Sequence, residues 1–263
     1  MDLGLKGRRA LVMGGTKGLG RSIADSLAGE GAALVISGRD QGRLDKAAAE
    51  LKAAGAASAV GFPGDVATPD DMNRLYDAAV KAMGGVDILV LNHGGPPPCT
   101  ATQMKESDLV TWFTSIVVSP LRIANLALPA MRAQKWGRII VVGSTGMQHP
   151  IGYLALSNTL RASVWAWVKT VSGEVAEDGV TVNVLAPGSI LTDRTTETSA
   201  KNAAAKGISV EQVLAEAAKE IPAKRYGMPS EYGPMGAFLA GETGSYVTGS
   251  MIRIDGGRVR GMV

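Results

Sequence analysis

A glycine-rich turn near the start of the chain constrains the fold more than any other stretch. The segment 10–20 reads ALVMGGTKGLG, an apolar run, then glycines, then the start of an amphipathic run. This order predicts a strand, a tight turn and a helix. Glycine lets a backbone approach a diphosphate closely because it has no Cβ, and the first turn of a helix offers free N–H groups to an anion. The spacing Gly14-x-x-x-Gly18-x-Gly20 differs from the common dinucleotide fingerprint, so a mere tight turn is the alternative to a nucleotide site.

Length and composition favour one large α/β domain. The chain has 263 residues, of which 46% are hydrophobic, and its 34 glycines suit a well-buried fold with many turns. The net charge of +3 is mild and scattered, so we expect neither nucleic acid nor a membrane surface as a partner. Cys99 is the only cysteine, which excludes an intrachain disulfide. With no signal-like start and no long uncharged apolar run, a cytoplasmic location is expected.

Strands and helices alternate along the whole chain. Strands are predicted at 9–13, 33–37, 57–62, 88–91, 138–142, 180–185 and 251–254. Helices are predicted from the glycine turn to 30, and at 40–54, from 68 onward, 106–134 (with kinks at Pro120 and Pro129), 157–177, 210–220 and 231–239. This pattern predicts a Rossmann-type, doubly wound, mostly parallel seven-stranded sheet with helices on both faces. We expect one domain over 1–263, a ligand crevice at the carboxyl ends of the strands, and a substrate-covering lid at 189–225.

Several motifs, taken in order, resemble those of the short-chain dehydrogenase/reductase family. GGTKGLG resembles its TGxxxGxG turn, GDV at 64–66 its adenine-contacting Asp, and LNHGG at 91–95 its NNAG stretch. GRIIVVGS at 137–144 resembles the strand that ends in the catalytic serine, and the segments 181–190 and 246–257 match the late strands. The resemblance covers nearly the whole chain and is nearest to the ketoacyl-carrier-protein reductase-like branch. It implies an oxidoreductase that uses a nicotinamide cofactor on a carbonyl or alcohol.

The resemblance also implies a set of cofactor contacts. They are Gly14, Thr16, Lys17, Gly18, Leu19, Arg39, Asp65, Val66, Asn92, Gly94, Arg161, Pro187, Gly188 and Ile190. Lys17 in the phosphate turn and Arg39 after the second strand favour NADP(H) over NAD(H), because a 2′-phosphate attracts cations where an unphosphorylated ribose usually meets an acid. Asp40 argues against this preference, and two solvated surface cations are the structural alternative.

The catalytic positions depart from the family pattern of Asn, Ser and Tyr-x-x-x-Lys. Ser144 is in place. Counting back from EVA at 174–176 puts Ser157 at the Tyr position and Arg161 at the Lys position, and counting back from Gly137 puts Ile116 at the Asn position. The chain therefore resembles the family members that lack this tetrad, which share the Gly-Gly-Pro loop found here at 94–96.

These substitutions remove the usual general acid. A serine hydroxyl is far less acidic than a phenol, so Ser157 cannot replace the tyrosine, and loss of a general acid costs roughly 10²–10⁴ in rate. Arg161 keeps a positive charge and donors for the nicotinamide ribose. Tyr153, His149 and His93 are candidate replacement acids. Each also has a purely structural alternative. Tyr153 would pack at the helix start, His149 would be an ordinary loop residue, and His93 would form a hydrogen bond to a neighbouring strand.

Three functions remain open at this stage. The first is an NADP(H)-dependent oxidoreductase in which Ser144 orients the carbonyl oxygen. The others are a catalytically impaired cofactor-binding or scaffold protein and non-redox, lyase-type chemistry in the same crevice. The substrate is expected to be a small molecule or an acyl carrier, and no metal site is predicted. Large apolar residues on the helix from 157, among them Trp165 and Trp167, and the resemblance to a family that commonly forms tetramers predict a homo-oligomer, either a tetramer or a dimer; the alternative is that these residues only pack against the sheet.

Overall fold

Seven parallel strands form one sheet in the computed structural model, which describes residues 2–262. Met1 and Val263, the two ends of the predicted domain, lie outside the described residues. The strand order is β3-β2-β1-β4-β5-β6-β7. The strands are β1 Arg9–Val12, β2 Ala33–Gly38, β3 Ser58–Pro63, β4 Ile88–Leu91, β5 Gly137–Val142, β6 Val180–Pro187 and β7 Met251–Ile254. The order reverses between β1 and β4, and open sheets of this class bind ligands at such a switch point.

Helices cover both faces of the sheet, as predicted. They are α1 Gly18–Gly29, α2 Gln41–Ala53, α3 Pro69–Met83, α4 Glu106–Phe113, α5 Ser119–Ala133, α6 Ala155–Val175, α7 Asp193–Lys206, α8 Val210–Ala218 and α9 Pro229–Ala240. One core cluster packs α1, α2 and α9 against one face, and its members include Ile23, Leu44 and Tyr232. The other packs α3, α5 and α6 against the opposite face, through residues such as Leu75 and Val164. The doubly wound prediction is confirmed.

The long helix predicted at 106–134 is interrupted by a π-helical turn at Thr114–Val118. The break lies directly before Pro120, one of the two prolines proposed as kinks, which removes a backbone donor from the continuous helical run; Pro129 lies inside α5. The run Glu106–Ala133 is long and apolar enough to cross a membrane by length and composition alone. Ile116, Ile123 and Met131 on this run are fully buried against the sheet, so the run serves as a core helix of the domain.

The lid region is more helical than the sequence suggested. Helix α7 covers Asp193–Lys206, where no helix was predicted. Thr192 caps it, because its side chain accepts a hydrogen bond from the Thr195 amide at 3.4 Å. At α3, Thr68 occupies the N-cap position, but its side chain makes no capping hydrogen bond.

Candidate active site

The glycine turn presents an open anion cradle at the switch point. Gly14 and Gly18 adopt φ of +61° and +64°, which few other residues tolerate. A Cβ on Gly18 would meet no atom within 4 Å, so the space at this point of the turn is open. Lys17, at the N-cap of α1, makes no side-chain capping bond, and the first turn of α1 carries no acid. The free N–H groups and positive dipole end of α1 therefore fit a diphosphate.

Asn92 ties the loop after β4 to this turn. Its Nδ2 donates to the carbonyl oxygens of Met13 at 3.1 Å and Gly14 at 3.3 Å. A Cβ on Gly14 would lie 2.6 Å from that nitrogen, and one on Gly20 would lie 2.5 Å from it. The close approach of Asn92 therefore requires glycine at both positions. The side-chain amide predicted to contact the cofactor holds the cradle in shape.

Arg39 and Asp40, which follow β2, have different roles. Arg39 is exposed and forms no hydrogen bond or ion pair within the described part of the chain. The carboxylate of Asp40 accepts a hydrogen bond from the Arg43 amide at 2.7 Å and so caps α2. Asp40, which argued against a 2′-phosphate, therefore acts as the N-cap of α2. Arg39 alone remains free to meet a ligand there.

Lys17 connects the turn to the lid. Its Nζ lies 3.9 Å from a carboxylate oxygen of Asp193 and 3.7 Å from one of Glu197, both on α7. All three side chains are at least half exposed, so these pairs contribute little stability. They do place the lid helix directly beside the candidate phosphate site.

The remaining predicted cofactor residues lie at the carboxyl ends of the strands, in the loops that follow them or in the first turn of α1. Thr16, Leu19, Asp65, Val66, Pro187 and Gly188 are half-buried, and Gly94 is exposed. The Asp65 carboxylate accepts from the Ala67 amide at 2.9 Å, which shapes the loop after β3. Ile190 is buried, and a Cβ on Gly227 would lie 2.6 Å from its Cδ1. The Ile190 side chain thus packs at the base of the lid, and its carbonyl oxygen accepts a hydrogen bond from the Thr195 hydroxyl at 2.7 Å.

Ser144 lies two residues after the end of β5. Asn158, which the sequence did not single out, holds the loop that contains Ser144. The Ser144 Oγ accepts a hydrogen bond from the Gly146 amide at 3.0 Å, which leaves the hydroxyl proton free to donate. Asn158 on α6 brackets the same loop, because its Nδ2 donates to the Ile151 carbonyl at 2.9 Å and its Oδ1 accepts from the Ile151 amide at 3.4 Å. No spacing in the sequence signals this contact.

The hydroxyl-bearing residues Tyr153 and Ser157, near the start of α6, differ in exposure. Ser157 is half-buried and makes no hydrogen bond within residues 2–262. The Tyr153 side chain is 75% exposed and its backbone has φ of +60°, so it does not pack at the helix start as its structural alternative supposed. His149 is exposed. Ile116 is fully buried in the π-helical turn and has no polar group to offer.

Arg161 places a buried guanidinium at the carboxyl end of β5. The residue is 8% exposed, and its Nη1 donates to the Val142 carbonyl oxygen at 3.0 Å. Desolvation, with a smaller contribution from the nearby Arg194 charge, lowers the pKa of Arg161 to about 10. Arg161 therefore stays positively charged at neutral pH.

His93 cannot be the missing acid, which corrects one of the three nominations. Its Nδ1 lies 2.6 Å from the Gly94 carbonyl oxygen, and because a carbonyl only accepts, Nδ1 carries the proton. Desolvation and the charges of Arg161 and Arg194 lower the pKa of His93 to about 3. At neutral pH the ring is therefore neutral, and its Nε2 is an acceptor with no proton to give.

The fold and this crevice together define a nucleotide-binding α/β protein, and comparison with known proteins identifies its family. A family model described as enoyl-(acyl carrier protein) reductase matches residues 14–258. The chain is 30% identical over 261 residues to a 3-oxoacyl-[acyl-carrier-protein] reductase of Aquifex aeolicus, covering 98% of this chain and 99% of that one. The chain belongs to the short-chain dehydrogenase/reductase family.

Two further relatives have different substrates in their names. D-beta-hydroxybutyrate dehydrogenase of Cupriavidus necator is 32% identical over 257 residues, which cover 97% of this chain and 99% of the relative. L-sorbose reductase from Gluconobacter frateurii, solved in complex with NADPH and L-sorbose, superposes with a TM-score of 0.95 at 31% identity and full coverage of both chains. The relatives thus agree on oxidoreductase chemistry, but they do not select one substrate.

Proposed function

We propose that this protein is an NADP(H)-dependent oxidoreductase that acts on a carbonyl or alcohol, is 3-oxoacyl reductase-like and has an atypical active site. The observation that carries the proposal is the open, uncapped amino end of α1 at Gly18, with Arg39 free to meet a ligand at the end of the neighbouring strand. An NADPH complex of a structural neighbour that superposes over the full chain supports the choice of cofactor. The free Arg39 and the capping role of Asp40 support NADP(H) over NAD(H).

The residues at the carboxyl ends of the strands have separate tasks in this proposal. NADPH, when bound, supplies a hydride to the carbonyl carbon. Ser144 donates its free hydroxyl proton in a hydrogen bond to the carbonyl oxygen, and the Arg161 charge stabilises the negative charge that develops there. Arg161 also retains donors for the nicotinamide ribose. The oxygen would take its proton from solvent, because the half-buried Ser157 stands where the family pattern has its acid and a serine hydroxyl is too weakly acidic for that role.

A carbonyl panel with NADPH tests this function. We expect slow reduction of at least one ketone, with deuterium from [4-²H]NADPH found on the product carbon. Ser144→Ala should lower the rate by about 10²-fold or more, and Ser163→Ala, on an exposed part of α6, is the matched control. Tight NADPH binding without any turnover would favour the scaffold alternative, and product formation with unchanged NADPH would favour lyase-type chemistry.

We further propose that residues 189–225 act as the lid of this single domain. Their helices α7 and α8 lie along the chain between β6 and the segment that leads to α9, and Lys17 meets α7 beside the phosphate turn. A small-molecule or acyl-carrier substrate would enter under this lid. A cytoplasmic location fits such a metabolic role.

We propose that the protein is a homo-oligomer, a dimer or a tetramer. A groove of about 510 Å³ on α5 and the preceding turn is lined by Phe113, Val117, Val118, Leu121, Arg122, Asn125 and Leu126. A second groove, of about 410 Å³, lies between α5 and α6 and includes Trp167. Phe113 is 41% exposed at this apolar face. Burying the face against a second copy would remove that apolar area from water.

A further inference from the structure

Two arginines from different elements lie at the carboxyl ends of the neighbouring strands β4 and β5, and neither has a carboxylate partner within residues 2–262. Arg161 comes from α6 and Arg194 from the first turn of α7 in the lid. Arg194 lies against the loop after β4, where a Cβ on Gly95 would be 2.6 Å from its Nη1 and where its Nη2 faces the Pro96 carbonyl oxygen at 3.5 Å. Within residues 2–262 neither arginine forms an ion pair.

The Arg161 guanidinium has donors to spare. Within residues 2–262 only Nη1 has a protein hydrogen-bond partner. Nε and Nη2 are not among the described side-chain atoms that are buried from solvent and lack a hydrogen bond. They therefore face the crevice. Because the side chain as a whole is buried, an uncompensated charge here is costly, and a ligand that brings negative charge removes that cost.

His93 completes the surroundings of this pair. Arg161 and Arg194 both lower the pKa of His93, and Arg194 lowers that of Arg161, so the three groups lie within electrostatic reach of one another. No carboxylate is among the charges that act on Arg161 or His93, and the one acid that acts on Arg161 is the buried phenol of Tyr232. The neutral His93 also adds no charge of its own, so the net local charge is two positive units.

We propose that Arg161 and Arg194 form a clamp for a carboxylate of the substrate, so that the enzyme acts on oxo acids or the corresponding hydroxy acids rather than on neutral ketones. This inference rests on the proposed reductase function. A guanidinium suits a carboxylate because its N–H groups form a fork that matches the two oxygens. Arg194 belongs to the lid helix, so the bound carboxylate would also draw the lid onto the substrate.

The cofactor diphosphate is the other possible source of anionic oxygens. It already has a cradle of its own at Gly18, with the free end of α1 and with Lys17 beside it. Although α7 also meets Lys17, the Arg194 guanidinium itself contacts the loop after β4 at Gly95 and Pro96, and Arg161 lies at the end of β5. The positions of the two arginines therefore favour the substrate as the source.

Binding of matched probe pairs to the NADP⁺-saturated protein tests the clamp. The probes are 2-oxo-, 3-oxo- and 4-oxopentanoate, each compared with its methyl ester at equal ionic strength by calorimetry and thermal shift. We expect at least one acid to bind about tenfold or more tightly than its ester, the effect of one charge-assisted hydrogen bond. Arg194→Gln should abolish that advantage and Arg194→Lys should restore part of it. Lys201→Gln, an exposed cation on the same helix, should leave it intact.

The outcomes separate this inference from the proposed function. Equal binding of acids and esters, or an acid advantage that survives in Arg194→Gln, would overturn the clamp and leave the reductase standing. A tenfold loss of NADPH affinity in Arg194→Gln, with the ratio of acid to ester unchanged, would assign the arginine to the cofactor and overturn the clamp as well. Failure of the protein to bind NADPH at all would instead remove the function on which the clamp rests.

Discussion

The Nη1 of Arg161 donates a 3.0 Å hydrogen bond to the carbonyl oxygen of Val142, and this bond fixes a buried cation at the carboxyl end of β5. The nearby Ser144 follows the same strand and keeps its proton free. The crevice thus offers a donor and a positive charge, without the phenol that supplies a proton in the family pattern. Each of the following predictions rests on a different part of this arrangement.

Restoring the tyrosine and lysine of the family pattern should accelerate the reduction of a ketone by NADPH. The double variant S157Y/R161K places a phenol and an ammonium at the two positions where counting along the sequence puts the tyrosine and the lysine. We expect a rate increase of at least tenfold for a simple ketone, since a general acid is worth roughly 10²–10⁴. NADPH oxidation at saturating cofactor measures it. Thr159→Tyr, on an exposed part of α6, is the control, and an equal gain there would refute the assignment of positions.

Arg39 should determine the choice between the two nicotinamide cofactors. In Arg39→Asp the carboxylate repels a 2′-phosphate and accepts a hydrogen bond from a free ribose, so we expect NADPH to bind at least tenfold more weakly and NADH to bind no more weakly. Calorimetric titration of both cofactors measures the change. Lys52→Ala, in the last turn of α2, should change neither affinity. An unaltered NADPH affinity in Arg39→Asp would show that Arg39 is merely a solvated cation.

His93 should make the folded state sensitive to moderate acid. Its pKa is about 3 in the folded protein against about 6.5 when unfolded, so the unfolded chain takes up the proton first as the pH falls. Stability should therefore be full above about pH 6.5 and fall below it, by up to about 1.4 kcal/mol per pH unit from this group. Urea unfolding between pH 5 and 7 measures the slope.

The second histidine provides the control for that slope. The sequence contains two histidines, and His149 is exposed. His93→Asn should flatten the pH dependence between pH 5 and 6.5, whereas His149→Gln should retain it. Identical slopes in the wild type and His93→Asn would mean that His93 is solvated and titrates normally.

A charge on the apolar face of α4 and α5 should dissociate the oligomer. Light scattering coupled to gel filtration should give two or four times the mass of one chain for the wild type. Phe113→Glu, in the last turn of α4, should shift the protein toward a monomer, because a buried carboxylate would be desolvated without a partner. Val60→Glu, on β3 at the sheet edge, is the control and should keep the wild-type mass. A wild-type monomer would refute the oligomer proposal.

Most of the fold could be predicted because local patterns determine it. Fully buried parallel strands are mostly apolar, so β4 stands out as an uninterrupted apolar run and β5 as one that follows Arg138. Helix α7 was missed because its threonines, serine and asparagine are weak helix formers. Its Thr192 cap and the proximity of its acids to Lys17 depend on how the lid meets the glycine turn, which no local pattern reports.

The candidate site could be predicted only in outline. Motif spacing located Ser144, Arg161 and the glycine turn, because these positions follow strands at fixed intervals. The tautomer of His93 depends on one contact with Gly94, and its low pKa depends first on desolvation in the fold and then on two arginines more than sixty residues away along the chain. Arg194 itself follows no recognisable motif. Such groups meet only through the tertiary fold.

Fluorescence titration of the wild-type protein with NADPH, with NADH alongside, tests the central claim most directly. The cradle at Gly18 and the free Arg39 predict saturable NADPH binding that is at least tenfold tighter than NADH binding. Equal affinities for the two nucleotides would contradict only the role assigned to Arg39. Failure of both nucleotides to bind would contradict the account as a whole, because the crevice would then have lost the cofactor on which the proposed reduction depends.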